Sequence, residues 1–173
     1  MPDLKSIPDD VKWRLAARLA ALLPALYEAA FRDVAGGKYD EIEQQIWMEI
    51  SIIVGDIVRA LSLPVSTAGE LADSLRTVMA ILFGPEYKSE TLDFSDDGAV
   101  VLVKRCPLPA CRHDSGSGDT PAFNRCMALT LTTVPSLNKK YSARFVRTMC
   151  TGDRQCELKI EGVKPDKKDQ KKK

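Results

Sequence analysis

Five cysteines and one histidine are the side chains of this 173-residue sequence best suited to chemistry. Cys106, Cys111, Cys126, Cys150 and Cys156 crowd the second half, and the first 105 residues have none. Their spacing is not that of a zinc ribbon, because no two cysteines are separated by only two residues. Cysteines 106, 126, 150 and 156 are predicted to come from a strand exit, a helix and the two flanks of a hairpin turn. Four such thiolates suit a tetrahedral zinc ion. An iron–sulfur cluster uses the same donors. Two other readings stand beside the metal. The cysteines could be small buried hydrophobes, or Cys150 and Cys156, facing each other across a short hairpin, could cycle through a disulfide. Cys111 and His113 fall in a Gly/Ser-rich stretch and could be substitute ligands, a lid or plain loop residues. A Ser-His-Asp or Cys-His mechanism would have to use His113, and that stretch offers no rigidly oriented base. Phosphate-binding loops, dinucleotide fingerprints and His-Glu-x-x-His are missing from the sequence.

The elements that must position these thiols are predicted from periodicity. Residues 1–85 read as three helices. The first spans about 8–35, with an apolar stripe of Leu15, Leu19, Leu22, Leu23, Leu26 and Ala30, and Pro24 is expected to kink or split it. The second, about 39–61, carries Ile42, Ile46, Ile50, Ile53, Ile57 and Leu61, widened by Trp47, Val54 and Val58. That breadth predicts a core helix, or one side of a dimer interface. The third opens at Ser66 or Thr67 with Glu70 placed for a capping box. It ends at Gly84-Pro85.

Residues 86–162 change character. A hairpin around Asp97-Gly98 is followed by a loop over 105–120, a helix to about 138 with Phe123, Met127, Val134 and Leu137 on one face, and a second hairpin. The apolar run 99–103 predicts a strand covered on both faces. Alternation at Cys156, Leu158 and Ile160 predicts a half-buried final strand. The expected class is α+β: three helices, then a β-β-α-β-β unit on an antiparallel sheet. The tail from about 163, rich in lysine, has too few apolar residues to pack and is expected to be disordered.

Charge narrows the function classes. The formal charge is +1. Residues 164–173 hold six Lys and two Asp, so the tail carries +4 and the body 1 − 4 = −3. A mildly acidic body argues against a general nucleic-acid binder, and the third helix offers only Arg76 where a recognition helix needs several basic residues. No apolar run reaches the length of a membrane span. The acidic, polar start does not resemble a secretory signal. The expected compartment is therefore the reducing cytoplasm, where clustered cysteines point to metal or redox chemistry.

The strand ending at Cys106-Pro107, the helix with Cys126 and the ending Cys150-Thr-Gly-Asp-Arg-Gln-Cys156-Glu-Leu resemble the 4-vinyl reductase domain family and its archaeal, mostly methanogen, relatives. The stretch Ile46-Trp47-Met48-Glu49 is similar to the helical segment of related proteins, some grouped with an amino-thiazoline-carboxylate hydrolase-like family. The resemblance implies a compact fold with a pocket between helix and sheet. It also implies a small hydrophobic or sulfur-containing ligand, a homodimer, and a zinc site at Cys106, Cys126, Cys150 and Cys156. The expected function is a metal-binding small-ligand binder or sensor. A metal- or cysteine-dependent hydrolase-like enzyme and a dimeric interaction module with redox-active cysteines are the alternatives. Reductase chemistry does not follow from the family name, because a fold does not fix a function.

Overall fold

The computed structural model describes residues 3–95, 97–108 and 121–163. Cys111, His113 and the lysine-rich tail from Lys164 lie outside the described residues. Among the described residues the fold is α+β, with four helices and one four-stranded antiparallel sheet. The helices are α1 (Asp9–Ala35), α2 (Lys38–Ala60), α3 (Ala68–Phe83) and α4 (Pro121–Leu137). The strands are β1 (Lys88–Ser95), β2 (Gly98–Arg105), β3 (Tyr141–Arg147) and β4 (Cys156–Gly162). Short 3₁₀ turns occur at Leu4–Ser6 and Met149–Thr151.

The sheet order is β1-β2-β4-β3. After β2 the chain crosses through α4 to the far edge, and β4 returns to fill the gap between β2 and β3. One face of the sheet is the core face. Ala99, Val101 and Val103 of β2 and Leu158 and Ile160 of β4 lie on it, buried. Between them Val100 and Leu102 are only half-buried, so β2 alternates and is not enclosed on both faces. Helix α3 lies on this sheet, and α4 bridges β3 and α2. A single core runs from Trp47 and Val54 through Leu71, Leu75 and Val78 to Leu129, Val134 and Ile160.

The start of α3 follows the expected chemistry. Thr67 Oγ1 accepts the Glu70 N–H at 3.2 Å, and Glu70 Oε2 accepts the N–H groups of Ser66 (2.7 Å) and Thr67 (3.2 Å). This satisfies donors that a helix start leaves open.

Helices α1 and α2 depart from the sequence reading. Helix α1 runs unbroken through Pro24 and buries Ala17 and Ala21, while Leu15, Leu19, Leu22 and Leu26 face outward. The physical reason is close approach. A Cβ added to Gly84 would lie 2.5 Å from Ala17 Cβ, so only small side chains fit where α1 crosses the end of α3. In α2 the buried residues are Glu43, Trp47, Ser51, Val54, Gly55 and Val58, whereas Ile42, Ile46 and Ile53 stay exposed.

Candidate functional site

The cysteines come from four local structures. Cys106 follows β2, Cys126 lies in the second turn of α4, Cys150 sits in the 3₁₀ turn and Cys156 begins β4. None of these four cysteines forms a disulfide among the described residues. Cys156 stands opposite Val103 on β2, not opposite Cys150, because Arg147 and Glu157 are the last pair of the β3–β4 ladder. The segment between them coils into the 3₁₀ turn, capped by Thr148 and closed by Gly152. The expectation that Cys150 and Cys156 face each other across a tight hairpin is therefore corrected.

Cys106, Cys126 and Cys156 line one apolar cavity of about 60 Å³, with Tyr87, Phe83 and Phe145 among its walls. That volume suits an ion or a few waters rather than a drug-sized molecule. Burial pushes the Cys126 thiol well above its usual range, and Cys106, Cys150 and Cys156 each add to the shift. Burial likewise pushes Cys156 up to about 11, against a hydrogen bond from the Met149 N–H to Sγ at 3.2 Å. Cys126 and Cys156 thus each feel Cys106 and Cys150. Their soft donor chemistry fits zinc or an iron–sulfur centre. Among the described residues, however, no three His, Cys, Asp or Glu side chains stand in position to hold an ion.

A second and larger space lies between α1 and α2. It is a groove of about 750 Å³, walled by Leu23, Tyr27, Phe31, Ile42, Ile46 and Trp47 among others, and nearly all apolar. Phe83 and Leu129 line both the groove and the cysteine cavity, so the two spaces share a wall.

One end of the groove is charged and buried. Arg125 of α4, 2 % exposed, donates Nε to Glu43 Oε1 at 2.8 Å, and its Nη2 pairs with Glu28 of α1. Tyr39 Oη donates to the same Glu43 oxygen at 3.0 Å. Arg32 donates Nε to Glu28 Oε1 at 3.0 Å and forks onto Asp40, with Nη2 2.8 Å from Oδ1. Burial opposes the Arg125 charge, but the hydrogen bond and charge of Glu43, with the charge of Glu28, prevail and its pKa is raised. Burial, with the Glu43 contact, pushes the Tyr39 phenol up to about 12. None of Glu28, Tyr39, Glu43 and Arg125 stands out in the sequence as a site residue. The available signal is Arg125 sharing an apolar helix face with Ala122 and Leu129.

No protein-family model matches the chain, and no curated protein does. Fifteen chains of solved structures match. One is trafficking protein particle complex subunit 3 from Naegleria fowleri, covalently bound to palmitic acid. It shares 11 % identity with this chain, at a TM-score of 0.58, over 90 % of this chain and 98 % of that one. The likeness is one of fold. No helix among the described residues is long and apolar enough to cross a membrane.

Proposed function

We propose that this chain binds an apolar small molecule in the groove between α1 and α2, as a binding or sensor module. The observation that carries this reading is the groove itself: about 750 Å³ with an almost wholly apolar lining. That size falls within the range of small-molecule pockets. An exposed apolar surface of this extent in a folded domain normally has an occupant. The solved relative of similar fold holds a palmitic acid, which supports an apolar ligand class. The wall formed by Phe83 and Leu129 offers a route by which occupancy of the groove reaches the cysteines.

The test is saturable binding of the neutral dye Nile red. One dye per chain is expected, with at least a tenfold loss in Ala20→Trp, which fills the groove from α1. Leu26→Ser, on the outward face, should bind like the unaltered chain. Non-saturable binding, or equal affinity in Ala20→Trp, overturns the reading.

Cys106, Cys126 and Cys156 on one cavity, with Cys150 among the thiols that raise Cys126 and Cys156, support a second reading, a zinc ion held by Cys106, Cys126, Cys150 and Cys156 once the side chains close on it. Four thiolates would leave no open position, so such a metal would be structural. Burial and neighbouring thiols raise Cys126 and Cys156, and a bound cation would reverse that shift. In metal-free protein Cys156, at about 11 against 9.0 for an ordinary thiol, should alkylate about a hundredfold more slowly at pH 8, with the rate climbing as pH approaches 11. Anaerobically purified protein should carry about one zinc per chain and resist alkylation at all these pH values. Cys126→Ser should lose the metal. Iron with acid-labile sulfide would indicate a cluster, and no metal in the unaltered protein would remove the reading. The outward leucines and isoleucines of α1 and α2 support a homodimer, which sedimentation of the same samples tests.

A further inference from the structure

We infer that the ligand of the α1–α2 groove carries an amine head on an apolar body, and that Glu43 selects it against a carboxylate. The inference rests on the groove reading and goes beyond it by naming the ligand's polar end. Among the residues lining the groove, Glu43 is the one with a charged side chain. It is 8 % exposed, held in place by Arg125 and Tyr39 through the same oxygen, Oε1. Its other oxygen, Oε2, accepts no hydrogen bond among the described residues.

The charge count around it is unbalanced. Among the described residues Glu28, Asp40 and Glu43 face Arg32 and Arg125, three carboxylates against two guanidiniums. Asp40 is about half exposed, so water screens it. Arg32 is bonded to both Glu28 and Asp40, so the excess of one negative charge belongs to the five groups together, and Glu43 is the member that lines the groove. Uncompensated buried charge is costly, and the groove is the side from which a ligand could balance it. An ammonium placed beside Glu43 would form a charge-assisted hydrogen bond, about twice the strength of a neutral one. A hydroxyl would gain only the neutral bond. A carboxylate would meet the like charge of Glu43, and Arg125, whose Nε and Nη2 are engaged by Glu43 and Glu28, does not line the groove.

The experiment is displacement of Nile red from the full chain by decylamine, 1-decanol and decanoate, each below its micelle-forming concentration, in the unaltered protein and in Glu43→Gln. At neutral pH decylamine should displace the dye at least tenfold more tightly than 1-decanol, and decanoate should be weakest. In Glu43→Gln the tenfold preference should collapse to twofold or less. Displacement by 1-decanol should be unchanged, which shows that the variant is folded and its groove intact. Should Glu43→Gln fail to fold, the order of the three ligands on the unaltered chain decides alone. Equal displacement by all three, or decanoate as the tightest, overturns the inference and leaves the groove reading standing. No displacement by any of them removes both.

Discussion

Arg125→Ala is expected to cost about 3–5 kcal/mol of folding stability, read from the urea midpoint. The substitution removes the one cation between Glu28 and Glu43, leaving, among the described residues, Glu43 with only the Tyr39 hydroxyl and Glu28 with only Arg32 in a site that water scarcely reaches. A loss of that size is a large share of the 5–15 kcal/mol that holds a typical domain together. The comparison is Arg59→Ala, which breaks a pair whose side chains are 70 % and 65 % exposed. Exposed pairs contribute at most about 1 kcal/mol. A third variant separates lost charge from lost packing. Arg125→Met with Glu28→Gln and Glu43→Gln keeps most of the volume while neutralising all three groups, and should recover much of the loss, as neutral replacement of buried ion networks often does. If Arg125→Ala costs no more than Arg59→Ala, the network is solvated and the selectivity argued for Glu43 loses its basis.

The same network shows where the sequence pattern stops being legible. Periodicity locates apolar faces, and it placed the alternating strand from Cys156 to Ile160 and the cap at Thr67 and Glu70 correctly, because both depend on neighbours within a few residues. It could not say which of two apolar faces turns inward. Helix α2 is apolar over more than half its circumference, so Trp47, Val54 and Val58 compete with Ile42, Ile46 and Ile53 for the core. The decision lies with α4, which packs on the Trp47 side and is more than sixty residues away in the chain. Helix α1 carries its leucines outward for a related reason: contact distance selects Ala17 and Ala21 over larger and more hydrophobic neighbours. Arg125 reads as an ordinary helix residue until Glu28 and Glu43 are seen beside it, 97 and 82 positions away. Cys106 and Cys156 end up near each other because β4 inserts beside β2, a consequence of the crossover that the order of elements permits but does not dictate.

The position of α1 sets the width of the groove, and Gly84 is the residue on which that position depends most. Gly84 has φ +81° and ψ −176°, a conformation that is nearly exclusive to glycine. Its N–H caps α3 by donating to the Ala80 carbonyl at 2.9 Å, and Ala17 packs directly on its Cα. One turn earlier in α1, Trp13 Nε1 donates to the Ile81 carbonyl at 2.9 Å, so the same crossing is also pinned by a hydrogen bond. Gly84→Ala should therefore act twice. The backbone strain alone is worth about 1–3 kcal/mol. The new methyl also has to displace Ala17, and with it α1. Gly36→Ala is the matched control, because Gly36 also has a positive φ of +56° but nothing within 4 Å of an added Cβ. The expected result is a clearly larger loss of stability for Gly84→Ala than for Gly36→Ala, with faster hydrogen exchange along α1 and at least a tenfold loss of Nile red affinity in the first variant only. Adding Ala17→Gly to Gly84→Ala should restore part of the affinity, since it returns the space while leaving the strain. Equal losses in the two single variants, with α1 exchange unchanged, would mean that the helix is held elsewhere and that the groove does not depend on this crossing.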